Sequence, residues 1–454
     1  MAARGEGASR RCRATTTREL RCHLHMGLAI ATMHLRAHPL MAHHADVDPL
    51  PVFTSAAKGE VDGVRNVCVI GAGIVGTSVA FHLSRFGDVR VSVVDAGYPG
   101  AGTTEAGTGW ISARGKSDPH YRELRLLAME EHHRLAESFP SSPWMTTGGT
   151  LQVEDSADEL DLLVEESHAA GYPVEVLSAA EVNARLEPHV AFARPDLRVA
   201  HFLDEFTVAG SLLARTLFQA AVDNGAIGHF GSRVLRLEQL PGGRHRIVHD
   251  DGTALEADAV VNAAGARAGE VAASYDIAMP MSPQPGMGIH VRAIGNPLRR
   301  MITVKELAAK PETDGIIRLR SLVGWKTGEV ASARDEGFTG GMERNAFVAH
   351  VLAQAEQLLP SMAPIRPIAT RVGVRPMPAD GLPRVGTVDS VPGYFDAVMH
   401  SGGVLGPLVG RLLAEEIVTG KQSPLLAGYR PDRFLGSPAP SAHLAGDAAG
   451  STLT

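Results

Sequence analysis

The chain is short of cysteine, aromatic residues, basic charge and long apolar runs, and each shortage removes a class of function. Three cysteines (Cys12, Cys22 and Cys68) are an odd, irregularly spaced set in 454 residues. They make neither a disulfide framework nor a zinc-ligand pattern, so no metal is expected. Cys68 falls inside an apolar strand and reads as a small buried hydrophobe. Unpaired cysteines fit a reducing compartment, and a cytoplasmic location is expected. Aromatic residues make up 5% of the chain and the formal net charge is −7. With no basic stripe and no stacking platform, nucleic acid is not an expected partner. No stretch approaches the roughly 18 consecutive apolar residues that cross a bilayer. Met26 to Leu35 is short and broken by His34. Arg10-Arg11 before it admits a secretion signal. A disordered tail over residues 1–63, or an upstream start chosen over Met41, is the simpler reading.

At 454 residues, two or three domains are the default expectation. Order begins near Val64. Asn66 to Ile70 is an apolar strand, Gly71 to Gly76 a glycine loop, and Val75 to Phe86 a helix by its periodicity. Val89 to Val94 is a second buried strand closing on Asp95, which completes a βαβ unit. Pro99 to Gly109 is a loop dense in Gly and Thr. Helices are expected over Pro119 to Phe139, Ala157 to Ala170, Ala179 to Leu186 and Val208 to Asn224, with a strand at Gly149 to Val153. In the first of these helices, charges separate Leu124, Leu127, Ala128 and Leu135. Ser232 to Leu237, Arg244 to His249, Thr253 to Glu256 and Ala259 to Asn262 read as a meander ending on Ala263-Ala264-Gly265. Pro280 to Thr370 contains strand-like pieces (Gly288 to Arg292, Met301 to Val304, Ile316 to Leu319) and a long helix near Arg344 to Leu359. Phe395 to His400 is a strand, Ser401-Gly402-Gly403 a turn, and Leu405 to Thr419 a helix. Residues 436–454 turn to Pro, Ser, Ala and Gly, the composition of a disordered tail.

The segment Gly71-Ala72-Gly73-Ile74-Val75-Gly76 has the context that makes a glycine motif meaningful: a strand before it, a helix after it, then a strand ending in an acid. Gly71 permits the tight turn, Gly73 lets backbone approach a pyrophosphate, and Gly76 lets helix pack on strand. The helix N-terminus offers amide groups and partial positive charge to phosphates. Asp95, 24 residues after Gly71, stands where a carboxylate meets a ribose hydroxyl and repels the 2′-phosphate of NADP. The loop alone fits FAD and NAD equally. A second glycine unit at the far end of the chain favours FAD, whose reactive end lies further from its pyrophosphate.

These motifs resemble the D-amino-acid oxidase family, which includes glycine oxidase, sarcosine oxidase and D-amino-acid dehydrogenases. The likeness spans roughly Val64 to Phe434. It rests on Val69 to Gly76, Gly102-Thr103-Thr104, Ala259 to Gly265, Gly373-Val374-Arg375-Pro376, Asp380-Gly381-Leu382-Pro383 and His400-Ser401-Gly402-Gly403. The resemblance implies an α/β fold: a Rossmann-like, glutathione-reductase-like FAD-binding domain with an interleaved α+β substrate domain on an antiparallel sheet. The FAD-binding domain is expected over 64–116, 200–279 and 371–435, and the substrate domain over 117–199 and 280–370. By the resemblance, FAD contacts fall at Gly71 to Gly76, Asp95, Ala96, Gly102, Thr103, Thr104, Val234, Ala263, Ala264, Gly265, Ser401, Gly402, Gly403, Val404 and Leu405. Arg375 inherits the substrate carboxylate, a role its planar guanidinium suits. His400 adds a hydrogen bond or a charge near the flavin pyrimidine ring, or simply packs at a strand end.

Two departures bear on cofactor attachment. The Gly-Thr-Thr loop continues Glu105-Ala106-Gly107 without the histidine of covalently linked relatives, and no cysteine follows Cys68. FAD is therefore expected to be non-covalent. The expected reaction is oxidation of the C–N bond of a small amino acid (a D-amino acid, glycine or an N-alkyl amino acid), with hydride leaving to flavin N5 and the imine hydrolysing. The segment Met301 to Arg320 matches the family poorly and is expected to contribute to substrate contacts. Lys305 and Lys326 read as surface lysines with an oxygen-assisting role as the alternative. An accessory or electron-relay subunit of a hetero-complex, and an FAD oxidoreductase acting on a hydroxy acid, stay open. So does a homo-oligomer or second subunit.

Overall fold

The computed structural model describes residues 65–434 apart from 117, 142, 294, 296–297, 313–314 and 322–340. The expectations for both tails, and those for Cys12, Cys22 and Lys326, lie outside the described residues. In chain order the elements are β1 (Arg65–Ile70), α1 (Ile74–Leu83), β2 (Val89–Asp95), α2 (Thr103–Ala106), β3 (Trp110–Ile111), α3 (Pro119–Ser138), β4 (Met145–Thr146), β5 (Thr150–Val153), α4 (Ala157–Ala169), β6 (Val174–Ser178), α5 (Ala179–Arg185), β7 (Arg198–Phe202) and β8 (Phe206–Val208). They continue with α6 (Gly210–Asp223), β9 (Ile227–Phe230), β10 (Val234–Gln239), β11 (His245–His249), β12 (Ala254–Ala257), β13 (Ala259–Asn262), α7 (Ala268–Ala272), β14 (Gln284–Arg292), β15 (Met301–Val304), β16 (Leu307–Pro311), β17 (Ile316–Ser321), α8 (Gly341–Leu358), β18 (Pro367–Arg375), β19 (Arg384–Thr387), β20 (Tyr394–Val398) and α9 (Gly402–Thr419).

The nucleotide-binding half is a six-stranded sheet in the order β19-β20-β13-β1-β2-β9. It is parallel except for β19, which pairs antiparallel with β20. Its central strands are apolar on both faces, as a covered parallel sheet requires. Val67 and Val69 enter one core with α1, α6 and α9, while Cys68 and Ile70 enter another with residues of β10–β12. Burial pushes the Cys68 thiol up to about 12, so it is inert. Helices α1 and α9 approach closely because Gly402, Gly406 and Gly410 line one face of α9. A Cβ at Gly410 would lie 2.3 Å from Ser78 Oγ.

The second half is an eight-stranded sheet, β18-β14-β17-β16-β15-β5-β7-β6. Its pairs are antiparallel apart from β5 with β15. Side chains of α5 and α8 join its apolar core. The α/β expectation of a Rossmann-like parallel sheet with an antiparallel second sheet therefore holds.

Several details differ from the reading of the sequence. Strand β13 does not close the meander: it is buried throughout and inserts in parallel between β1 and β20, leaving β10–β12 as a three-stranded sheet. The loop from Pro99 to Gly109 contains the short helix α2. Strands β3, β4, β6, β7, β8, β9, β16, β18 and β19 had no expectation attached. Strands β7 and β18 cross the divisions drawn at 199/200 and 370/371, and α3, placed with the substrate domain, shares its apolar core with α9. No helix among the described residues is long and apolar enough to cross a membrane.

A buried ion pair ties β19 to β20. Arg384 Nε lies 2.7 Å from Asp396 Oδ2, with both side chains nearly inaccessible. Burial raises the Asp396 carboxyl, and Arg384 pulls it the other way. Removing one partner strands a buried charge, so Arg384→Met should cost about 3–5 kcal/mol. Urea unfolding checks this, and a loss below about 1 kcal/mol, the scale of an exposed pair, would show that the pair contributes little.

Candidate active site

Strand β1 delivers the chain into the glycine loop. Gly71 takes φ +104°, and a Cβ there would stand 2.3 Å from Ala263 O, so no side chain fits. A Cβ at Gly76 would stand 1.9 Å from Gly71 O, which is why α1 can begin hard against the strand. Asp95 closes the far side: Oδ2 accepts from the Ala72 amide at 2.6 Å and Oδ1 from the Gly97 amide at 2.7 Å. Both oxygens thus hold the turn, and each keeps a further lone pair for a ligand hydroxyl. Thr104 Oγ1 accepts from the Ile74 amide at 3.0 Å and docks α2 against the first turn of α1.

A cavity of about 850 Å³ runs along this loop. It is lined by Asp95, Ala96 and Val234, by Gly71, Gly73, Ile74 and Val75, by Gly102, Thr103, Thr104 and Ala263-Ala264-Gly265, and by Arg375, His400, Ser401, Gly402, Gly403 and Val404. The structure therefore gathers residues from opposite ends of the chain onto one cavity. Three expected contacts do not reach it. Ala72 and Leu405 are buried in the core, and Gly76 is spent on the contact with Gly71. They shape the site without lining it. Lys305 is exposed and does not line the cavity.

Around His400 and Ser401 stand Arg125 and Tyr121, which the sequence did not single out. Arg125, on the buried face of α3, donates through Nη1 to Ser401 Oγ at 2.9 Å, through Nε to Ser112 O at 2.8 Å and through Nη2 to the same carbonyl. Tyr121, one turn earlier, donates to Ser401 Oγ at 3.1 Å. With both its lone pairs used, the Ser401 hydroxyl donates to His400 Nδ1, 2.8 Å away. His400 is thereby held as the Nε2–H tautomer. Burial lowers its pKa from 6.5 to about 3, helped by Arg375, Arg125 and Lys116. His400 is thus a neutral hydrogen-bonding group, and the charge on this turn comes from Arg125. The only sequence signal for Arg125 was its place, four after Tyr121, on a face shared with Leu124 and Ala128. Arg320, on β17, and Trp110 also line the cavity. Arg375 makes no ion pair or side-chain hydrogen bond among the described residues, and burial lowers its pKa.

Burial of neutral histidines sets a pH dependence. His132, whose Nε2 donates to Gly403 O at 2.9 Å, is lowered by burial from 6.5 to about 4. Below pH 6.5 the unfolded chain takes up protons at His132 and His400 that the folded chain refuses. Stability is then full above about 6.5 and falls as pH drops toward 4, by about 1.4 kcal/mol per pH unit for each histidine. Thermal unfolding between pH 7.5 and 4.5 should show this fall, and His132→Gln should make it shallower. An unaltered slope would count against the assignment.

Residues 66–416 match the DAO family model, described as FAD dependent oxidoreductase. An uncharacterised oxidoreductase of Bacillus subtilis is 28% identical over 394 residues, covering 81% of this chain and 99% of the relative. The glycine oxidase of Geobacillus kaustophilus is 25% identical over 385 residues, 82% of this chain and 97% of that one. Its crystal structure aligns with a TM-score of 0.69 at 24% identity, over 82% of this chain and all of that one. The crystal structure of an iminodiacetate oxidase from Chelativorans sp. BNC1 aligns with a TM-score of 0.66 at 26% identity, covering 80% and 98% of the two chains.

The chain belongs to the DAO family of FAD-dependent oxidoreductases, and its cofactor is FAD. The cavity fits that cofactor: it is lined by bare backbone at Gly71 and Gly73, by the acid Asp95 and by a second helix N-terminus at Ser401-Gly402.

Proposed function

We propose that the protein oxidises the C–N bond of a small amino acid: a D-amino acid, glycine or an N-alkyl amino acid. The observation that carries this reading is Arg375, a largely buried guanidinium without a carboxylate partner among the described residues, lining the same cavity as the glycine loop. Relatives named for glycine and iminodiacetate oxidation support an amine over a hydroxy acid.

When bound, FAD supplies an acceptor for the hydride that leaves the substrate α-carbon. Arg375 holds the substrate carboxylate and so fixes where that carbon lies. The positive charges of Arg375 and Arg125 disfavour an ammonium nearby, which favours the neutral amine the reaction needs. Arg125, through Ser401, adds its charge to the N-terminus of α9, a region suited to negative charge on the reduced cofactor. Neutral His400 offers its Nε2–H as a hydrogen-bond donor without adding charge. The imine product hydrolyses in water and needs no protein group.

The cofactor is held non-covalently in this reading. Among the described residues lining the cavity, His400 is the only histidine, its Nδ1 is engaged by Ser401, and there is no cysteine. Acid precipitation should release all flavin colour into the supernatant; colour retained in the pellet would show a covalent link.

Anaerobic mixing with D-amino acids, N-methyl amino acids and hydroxy acids tests the substrate class through bleaching of the flavin band. Bleaching by amino acids is expected. Bleaching by hydroxy acids alone would move the activity to C–O oxidation, and bleaching by none would leave an accessory flavoprotein.

A further inference from the structure

The cavity carries more positive charge than one carboxylate needs. Arg320 lines it and donates through Nη1 to Thr108 Oγ1 at 2.8 Å. The neighbouring arginines of this sheet already have acids: Arg318 pairs with Glu312 at 2.9 Å and Arg371 with Glu105 at 3.0 Å. Among the described residues, Arg320 and Arg375 have none. The acids that do line the cavity are engaged elsewhere. Asp95 holds the Ala72 and Gly97 amides, and Glu270 lies 3.7 Å from Arg267.

Strand register places the two guanidinium groups on one face. β14 pairs with β18 so that Gly286 faces Gly373 and Gln284 faces Arg375. Arg320 Nη2 lies 3.6 Å from the point where a Cβ on Gly286 would stand, so the side chain reaches across β14 toward the Gly286–Gly373 pair. Arg375 is two residues beyond Gly373, on the same face of its strand. Neither glycine carries a side chain, and Ala106 of α2 packs against Gly373, where a Cβ would stand 2.6 Å from Ala106 Cβ. Both residues line the same cavity; a fork-shaped cation binds an oxyanion bidentately, and two on one strand face suit a dianion.

We propose that Arg320 forms a second anion subsite and that the substrate is a dicarboxylic amino acid. Its α-carboxylate lies on Arg375, and a second carboxylate, carried on the side chain or on the amine nitrogen, lies on Arg320. This rests on the amino-acid reading above and narrows it. Thr108 orients the guanidinium.

The test uses the full-chain holoenzyme and two readouts. Equilibrium binding of malonate, succinate and glutarate is compared with that of acetate, propionate and butyrate through perturbation of the flavin spectrum. In parallel, anaerobic flavin reduction by iminodiacetate and D-aspartate is compared with that by sarcosine and D-alanine. Dicarboxylates should bind at least about tenfold more tightly than monocarboxylates, the scale of one charge-assisted contact. Arg320→Met should abolish that gap, and Arg320→Lys should keep part of it. If Arg320→Met does not hold flavin, Thr108→Val should narrow the same gap. Equal binding of the two series in the wild type, or a gap that survives both Arg320→Met and Thr108→Val, would overturn the subsite. A gap governed by Arg320 in a protein that no amine reduces would keep the subsite and remove the amino-acid reading.

Discussion

Arg375→Ala should lower kcat/KM for the amino-acid substrate by about 30- to 3000-fold, chiefly through KM. The reason is desolvation. A guanidinium at this depth is already stripped of much of its water, so the substrate carboxylate gains a charge-assisted, bidentate partner at little further cost. Truncating one side of such a buried pair leaves the other charge without compensation, a loss of about 2–5 kcal/mol. Arg375→Lys keeps the charge but loses the fork and should fall between the two. Flavin content should be retained in both variants, because Arg375 is assigned to the substrate carboxylate and the glycine loop to the cofactor. An unchanged KM would remove Arg375 from the substrate site, and loss of FAD would assign it to the cofactor.

The second large effect is expected at Gly71. Gly71→Ala meets two penalties at once: a left-handed φ of +104° and a Cβ 2.3 Å from the Ala263 carbonyl oxygen. The backbone there belongs to β1 and to the end of β13, so relief requires separating two central strands. Overpacking of this kind costs about 1–3 kcal/mol, and an alanine at positive φ about 1–2 more. FAD affinity should fall by about tenfold or more as the turn that approaches the pyrophosphate distorts. Gly87→Ala is the control, since a Cβ there meets nothing within 4 Å and its φ is not positive. Flavin content after purification, with the FAD dissociation constant, measures both. Full flavin retention in Gly71→Ala would mean that the loop tolerates a side chain and has been misassigned.

What was legible in the sequence was what is local. Gly71 to Gly76 with Asp95 reports a turn, a helix start and a strand end that touch one another within thirty residues, and the structure assembles them that way. The junction at His400 to Gly403 was legible for the same reason, although α9 starts at Gly402, earlier than the apolar periodicity from Leu405 indicated. Strand β13 was misplaced in the meander because a short apolar run carries no record of its partners. Its burial on both faces marks it as a central strand only once β1 and β20 flank it. Arg125 was invisible for a related reason, and Arg320 was legible only as part of the segment Met301 to Arg320. Each is one arginine in a segment with several charges, and only tertiary packing turns one of those charges inward. Ala72, Gly76 and Leu405 do not line the cavity, since a motif names a stretch of chain while a cavity wall is formed by only some of its residues.

The central claim is that this FAD cavity removes hydride from a carbon bearing an amine. Matched substrates of one carbon skeleton, D-alanine against D-lactate and D-aspartate against D-malate, can be mixed anaerobically with the holoenzyme in a stopped-flow instrument. The account predicts that the flavin bleaches with the amino acid of a pair and not with the hydroxy acid, and that deuterium at the α-carbon slows the bleaching. Equal bleaching by the hydroxy acid, or an amino-acid reaction indifferent to α-deuterium, would contradict it.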